Sequence, residues 1–309
     1  MTAAHYFVRA DDGHEITVHH WDPAGAPRAV LLIVHGMAEH AERYAPLAEY
    51  FAARGMVVHA LDHRGHGMSA ASAGDIGHFA DQNGWQRVIN DLQAVVTQLR
   101  ATYPHLPLIL LGHSMGSFIA QAWAIEHGAA LAALVLSGSN YGSTAAYRAG
   151  RLIAQLEKFR IGTRGKSALL EFLSFGAFNN AFKPARTAYD WLSRDHAQVD
   201  LYVDDPLCGF RVSTGLWIDL LGGLIDISKI GNLARIPAKL PVYILGGGRD
   251  PVGHAGTGLP RLAAKLREAG LRNVTLKLYA EGRHEMFNET NRHEVFADLA
   301  TWLDTVLSG

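Results

Sequence analysis

A serine hydroxyl, a histidine and an aspartate can together cleave an acyl bond that water alone leaves intact, and this chain places one of each where they could meet. Ser114 sits in Gly112-His113-Ser114-Met115-Gly116, between the apolar run Leu108-Ile109-Leu110-Leu111 and the helix-like stretch Ser117 to Trp123. In a chain with 32 glycines a Gly-x-Ser-x-Gly string carries little weight alone. Between a buried strand and a helix it reads as a nucleophile elbow, whose strained turn exposes the serine at the sheet edge and leaves no room for side chains at the two glycines. The hydroxyl needs a base, and the base needs a group that fixes its tautomer. Asp250 follows the strand-like Val242-Tyr243-Ile244-Leu245, and His284 follows Val274 to Tyr279. Each stands just past the C-terminal end of an expected strand, where an open α/β sheet assembles its site. The order Ser, Asp, His is the one this elbow predicts. Asp200, Asp204, Asp205 and Asp226 are competing acids, but they lie in a segment with no preceding sheet strand.

Attack on a carbonyl creates an oxyanion, which needs donors already in place. The amide of Met115 follows the nucleophile. Val34-His35-Gly36-Met37 leaves the end of another apolar strand, so the amide of Met37 is the second candidate donor.

The elements that must position these groups can be read from periodicity. Ala4 to Arg9 and Glu15 to Trp21 read as a hairpin around Asp11-Asp12-Gly13. Ala29 to Val34, Met56 to Leu61, Pro107 to Leu111 and Ala132 to Leu136 are too apolar for half-exposed strands and belong in a sheet covered on both faces. Helices are expected over Arg43 to Arg54 and over Met115 to His127. A third is expected over Trp85 to Tyr103, with Val88, Leu92, Val95, Val96 and Leu99 facing in and Arg87, Asp91 and Gln98 facing out. The alternation predicts an α/β class with a mostly parallel central sheet, helices on both faces and right-handed crossovers.

From Tyr141 to Arg235 the rhythm breaks into helix-like stretches (Arg151 to Arg160, Ser167 to Phe175, Thr214 to Leu221) and loops. The segment is rich in large apolar residues such as Leu152, Phe159, Leu169, Phe172, Leu173, Trp191 and Trp217. A helical cap over the sheet edge fits this composition, with most of these side chains expected to build the cap's own core and a minority to face a cavity. After Pro237 the alternation resumes, with a helix over Gly258 to Glu268 and another over Glu294 to Leu307. The expected organisation is a core of residues 1–140 and 236–309 interrupted by a cap of residues 141–235.

Charge is nearly balanced, 28 basic against 29 acidic residues, so no basic field exists to hold nucleic acid. Cys208 is the sole cysteine, which excludes an internal disulfide and a cysteine-rich metal site, and it reads as a small buried apolar residue. Among the 17 histidines, His63 and His66 look superficially ligand-like, yet no two share a helix face with a carboxylate in a zinc pattern. No metal or other cofactor is expected. No run approaches the roughly 18 apolar residues of a membrane span and the N-terminus does not read as a signal peptide, so a cytoplasmic protein is expected. Ala168-Leu169-Leu170 and Leu220 to Ile225 are expected mainly as cap core, with weak membrane-surface contact through the cap as the alternative.

Taken together, these segments resemble the monoacylglycerol lipase and lysophospholipase branch of the α/β-hydrolase fold over nearly the full chain. The resemblance is carried by His35-Gly36-Met37-Ala38-Glu39-His40 with Arg43-Tyr44, by Asp62-His63-Arg64-Gly65-His66-Gly67-Met68-Ser69, by the elbow, by Gly247-Gly248-Arg249-Asp250-Pro251-Val252, and by His284-Glu285. It implies a helical cap over an acyl-binding tunnel, hydrolysis of a small lipid-like, single-chain ester, and no cofactor. It also implies that Glu39 and Arg43 lie near the substrate's polar head, against the alternative that they brace the oxyanion loop as a salt bridge. Ser117 and Met37-Ala38 depart from the family's smaller residues, which bears on pocket width beside Ser114 but not on the backbone donors. The expected reaction is therefore serine-based ester hydrolysis through an acyl-enzyme. An acyltransferase, thioesterase, peptidase or perhydrolase on the same triad is the alternative, and a non-catalytic ligand receptor a more distant one. Dehalogenase and epoxide hydrolase chemistry would need a carboxylate where Ser114 stands.

Overall fold

A computed structural model describes residues 4–308. Eight strands form one sheet: β1 (Ala4–Arg9), β2 (Glu15–Trp21), β3 (Ala29–Val34), β4 (Met56–Leu61), β5 (Leu108–His113), β6 (Ala133–Ser137), β7 (Val242–Gly247) and β8 (Val274–Tyr279), in spatial order β1-β2-β4-β3-β5-β6-β7-β8. The pairs β1–β2 and β2–β4 are antiparallel, and every pairing from β4 through β8 is parallel. Strands β3 to β7 are buried at every position, as their unbroken apolar runs demand.

Alternation along β3 shows how one strand serves two cores. Val30, Leu32 and Val34 face one hydrophobic cluster, whereas Ala29, Leu31 and Ile33 face the other. The first cluster is closed by α2 (Gly84–Thr102), α3 (Met115–His127) and α10 (Gly258–Glu268), the second by α1 (Ala45–Ala52) and α11 (Arg292–Ser308). The α/β-hydrolase fold read from the sequence is the observed one.

Two expectations on these helices change. The segment expected as one helix from Arg43 begins as a 3-10 turn at Ala41–Tyr44 and becomes α-helical at Ala45, where Pro46 suits the first turn. On α2, Asp91 does not face water. It is 1% exposed and takes two 2.6 Å hydrogen bonds from Arg64 Nε and Nη2. A polar residue at an inward helical position became tolerable because a cation from another element reaches it.

Between β6 and β7 lie α4 (Thr144–Ile161), α5 (Ala168–Leu173), α6 (Phe175–Phe178), α7 (His196–Asp204), α8 (Thr214–Ile227) and α9 (Ile230–Leu233). Helix α4 runs a full two turns earlier than its apolar stretch suggests because Ser143 caps it, accepting from the Ala146 amide. Helix α7 was not read from the sequence, although Asp195 caps it through the amides of Ala197 and Gln198. A small apolar cluster of Trp191, Leu192, Tyr202 and Cys208 holds this region together.

The expected cap core is only partly there. Leu152, Phe159, Leu169, Phe172 and Leu173 are exposed, Phe159 to 95%. Helical spacing alone cannot tell a face that packs from one that meets another surface. Of the stretch Leu220 to Ile225, Leu220 and Leu224 are buried against the main core, which leaves no membrane contact for them. Among the described residues no helix is long and apolar enough to cross a membrane.

Candidate active site

Strand β5 ends at His113, and Ser114 enters α3 with φ +50° and ψ −121°, a conformation that β-carbon-bearing residues rarely adopt. The turn persists because its surroundings over-determine it. The Ser114 amide donates to Ser137 O at 2.9 Å, and the amide and hydroxyl of Ser117 both donate to Ser114 O, at 2.9 and 2.6 Å. The departure at Ser117 is thereby explained as an added latch on the elbow. A β-carbon on Gly112 would lie 2.4 Å from Gly116 O, and one on Gly116 would lie 2.1 Å from Val34 O. Both sites admit glycine alone.

Asp250 follows β7 and is fully buried. Its Oδ1 accepts from the Val252 amide and its Oδ2 meets His284 Nδ1 at 2.9 Å. Because an ionised carboxylate only accepts, this contact fixes the proton on Nδ1 and leaves Nε2 as the basic nitrogen. Burial alone would depress the imidazole. The charge of Asp250 and its hydrogen bond, helped by Glu285 and Glu39, outweigh burial and raise the pKa above the ordinary histidine value. Ser114 and His284 line one cavity, together with Met37 and Met115. Three of the four competing acids are engaged elsewhere: Asp205 with His40, Asp226 with Lys229 and Asp200 with Arg186.

Met115 is the first residue of α3, so its N–H is one of the helix's unpaired first-turn donors. Met37 lies on the loop after β3, and Ala38 beside it has φ +55°. That loop is held from several sides. Gly36 N donates to Glu39 Oε1 at 2.6 Å, Tyr44 donates to the same oxygen at 2.8 Å, and Ala38 O accepts from Gly209 N and the Tyr202 hydroxyl.

Glu39 and Arg43 belong to the same brace. Arg43 Nη1 contacts Glu39 Oε2 at 2.6 Å, and its two terminal nitrogens grip both oxygens of Glu285 at 2.7 Å. The Tyr202 ring covers the guanidinium at 4.8 Å. Burial would raise the Glu285 carboxyl, but the paired arginine holds it at about 2. Glu39 shifts the other way, raised by burial beyond what Arg43 offsets. Glu39 and Glu285 line the cavity, and Arg43 bridges them. The sequence suggested the pair Glu39 and Arg43; Glu285 completes it from 242 residues away.

Two further features escaped the sequence reading. The His113 ring lies 4.8 Å from that of His284 at a tilt of 52°, bonds Ser137 Oγ through Nδ1, and is pushed well below the usual histidine pKa by burial and by His284. It stays neutral beside His284. Its signal was its place between Gly112 and Ser114. Trp191 and Leu192, from the cap, accept backbone bonds from His284 and Glu285, and the Trp191 ring lies 5.0 Å from His284. No local pattern in the sequence marks that contact.

The cavity has a volume of about 540 Å³. Phe118, Phe175, Phe178, Trp217, Leu220 and Leu224 give it apolar walls, and Asn140, His254 and Arg261 supply polar groups. Such a chamber accepts one long apolar group and holds its polar end against a few fixed side chains.

Comparison with known proteins agrees with this chemistry. The profile of the family described as Serine aminopeptidase, S33, matches residues 25–291. A monoacylglycerol lipase of Mycolicibacterium smegmatis is 30% identical over 92% of this chain and 90% of its own. A monoglyceride lipase of Rattus norvegicus is 28% identical over 94% of this chain and 88% of its own. Among solved structures, a highly thermostable carboxyl esterase from Bacillus coagulans in complex with glycerol superposes with a TM-score of 0.90 at 28% identity, with 99% of each chain covered.

Proposed function

The chain belongs to the family described as Serine aminopeptidase, S33, and is a carboxylic ester hydrolase of the α/β-hydrolase fold; from that premise we propose that it cleaves single-chain glycerol esters, monoacylglycerols first, through Ser114, His284 and Asp250. The observation that carries the reading is the buried His284–Asp250 pair facing, with the strained Ser114, into an apolar chamber sized for one acyl chain.

His284 Nε2 takes the proton as Ser114 Oγ attacks the ester carbonyl, and Asp250 stabilises the imidazolium so formed. The carbonyl oxygen becomes an oxyanion and is held by the amides of Met37 and Met115. Collapse breaks the bond to the alcohol oxygen, which leaves with the proton from His284. Water repeats the sequence on the acyl-enzyme, releasing the fatty acid and restoring the serine. The Glu39–Arg43–Glu285 brace fixes the loop that carries Met37, and its two carboxylates offer acceptors to the glycerol hydroxyls.

The relatives named as monoacylglycerol and monoglyceride lipases support the head group, and the apolar walls support an ester of a fatty acid over a peptide. We also read the exposed apolar side chains of α4 and α5 as a surface that touches lipid. On α4, Arg148, Arg151 and Lys158 lie along the same helix as Leu152, Leu156 and Phe159, a combination suited to an anionic interface.

The test is turnover by the purified chain of a panel comprising 1-oleoylglycerol, a dioleoylglycerol, a lysophosphatidylcholine, an acyl thioester and an aminoacyl p-nitroanilide, beside Ser114→Ala. The monoacylglycerol is expected to give the highest kcat/KM, and Ser114→Ala is expected to lose both turnover and fluorophosphonate labelling while keeping its fold. Preference for the thioester or anilide would overturn the substrate, and labelling retained in Ser114→Ala would overturn the nucleophile.

A further inference from the structure

Beside the loop that carries Met37, three metal-binding side chains converge that ester hydrolysis does not use. His40 follows Glu39 on that loop, and Asp205 and Cys208 follow α7 in the cap. A ring nitrogen of His40, a carboxylate oxygen of Asp205 and the sulfur of Cys208 all lie within 4.8 Å of one another. Asp205 to Cys208 forms one turn, closed by Cys208 N on Asp205 O at 3.0 Å and by Leu207 N on Asp205 Oδ1 at 2.8 Å. The second carboxylate oxygen, Oδ2, meets His40 Nε2 at 2.8 Å. Gly209 N and the Tyr202 hydroxyl, both on Ala38 O, hold the turn against the loop.

We propose that His40, Asp205 and Cys208 form a zinc site that fastens the cap to the oxyanion loop. The donor set of one imidazole, one carboxylate and one thiol selects a borderline-soft cation over magnesium or calcium, and three protein ligands leave a fourth position for water. Ligand bonds of about 2.0 to 2.3 Å with a single sulfur require tetrahedral edges of about 3.3 to 3.6 Å, so the His40–Asp205 contact opens slightly and the widest separation closes by up to about 1.2 Å. Both adjustments lie within rotamer movement of Asp205 and Cys208.

Charges of both signs surround the thiol. The Arg43 guanidinium acts most strongly on the Cys208 thiol, and the carboxylates of Asp205, Glu39 and Glu285 act against it. Burial and these carboxylates keep the thiol protonated in the metal-free protein. Zinc entry therefore replaces one proton on sulfur, releasing it to solvent, while His40 binds neutral and Asp205 ionised. The Cys208 side chain is buried, whereas Asp205 is partly exposed and gives the ion its way in. Because His40 directly follows Glu39, whose carboxylate accepts from Gly36 N, occupancy draws on the loop carrying Met37 and slows hydrolysis.

The full chain, freed of metal, should develop thiolate-to-cobalt charge-transfer absorption when titrated with Co²⁺, saturating at one ion per chain and displaced by Zn²⁺. Cys208→Ser should lose that band and bind Zn²⁺ about tenfold or more weakly, as should Asp205→Asn, with circular dichroism unchanged. Zinc affinity should rise with pH as one proton is released per ion bound. Zinc bound as tightly by Cys208→Ser as by the native chain, or a cobalt complex without the thiolate band, overturns the site and assigns the metal to surface histidines. Zinc should also slow native turnover reversibly to EDTA and leave Cys208→Ser unaffected; equal inhibition of both would overturn the link to the loop. The absorption readout stands whether or not the preferred ester is a monoacylglycerol.

Discussion

The loops at the C-terminal rim of the sheet and the outer face of α4 and α5 are built on opposite terms. At the rim, polar groups are buried and each is matched by fixed partners: Asp250 by His284 and Val252, Glu39 by Gly36, Tyr44 and Arg43, and Glu285 by Arg43 and Asn288. On the cap face, large apolar side chains stand in water with nothing packed over them. A buried polar group costs free energy unless its partner is held in place, so the rim tolerates almost no change. An exposed apolar group contributes little to folding, so the cap face is free to change without unfolding the chain. The contrast separates the part of the molecule that fixes a reaction from the part that meets its surroundings.

The sharpest way to break that contrast is at the pair that orients the base. Asp250→Asn keeps the volume and the contact with His284 but favours the wrong tautomer, and kcat is expected to fall about 10⁴-fold with an unchanged unfolding midpoint. A steady-state assay on a soluble monoester measures this. Activity within a few fold of native would mean that the rim is not where the chemistry is organised.

Next comes the brace. Arg43→Met leaves Glu39 and Glu285 facing one another without their shared cation. Removing one partner from a buried ion cluster is expected to destabilise the fold by about 3–5 kcal/mol. Urea unfolding measures it. The triple variant Arg43→Met, Glu39→Gln, Glu285→Gln should recover part of the loss, because the uncompensated charges are then gone. A loss below 1 kcal/mol in the single variant would show the rim to be as tolerant as the cap.

The pH dependence sharpens the same point from within the rim. The pKa of His284 is raised in the folded chain, so kcat/KM should fall as pH drops through a value above the ordinary histidine range, where the base becomes protonated. Stability runs the other way. A raised folded pKa means that the protonated form is favoured by folding, so this contribution is full below the unfolded value and is lost as pH rises through the folded one. In Asp250→Asn the acidic limb of the residual activity should move to lower pH, since the carboxylate that raises the base is neutralised. A limb that stays in place would exclude His284 as the titrating group.

What could be read in advance follows the same division. The core strands were legible because burial on both faces writes itself as an unbroken apolar run, as in Leu31 to Val34. Ser114, Asp250 and His284 were expected as a triad because each follows the end of an expected strand, and the structure sets Asp250 and His284 at 2.9 Å. What was not legible depended on partners distant in sequence. Asp91 looked like a solvent-facing residue until Arg64 was seen to reach it, and the third member of the brace, Glu285, came from the last strand's loop. Helix α7 and the contact of Trp191 with His284 lie in a segment whose local pattern is weak, because its residues answer to a cavity and to loops rather than to a sheet. The cap face shows the limit most plainly. Hydrophobicity reported that Phe159 and Phe172 favour burial, but not that no described residue covers them.

The smallest expected effect on folding tests that last point. Leu152, Leu156 and Phe159 fall at four- and three-residue spacing and so share one face of α4, with Phe172 on α5 also exposed. Phe159→Ser and Phe172→Ser are expected to change unfolding free energy by no more than about 0.5 kcal/mol, since neither ring loses a burial it never had. If the face touches lipid, the same rings become buried only on binding. Each substitution should then weaken co-sedimentation with anionic phospholipid vesicles by about tenfold while leaving turnover of a soluble short-chain ester unchanged. Unchanged vesicle binding in the double variant would remove the lipid surface as the face's partner. A loss of stability above 2 kcal/mol would mean that the rings are packed after all, and the two regions would then differ in chemistry but not in their tolerance of change.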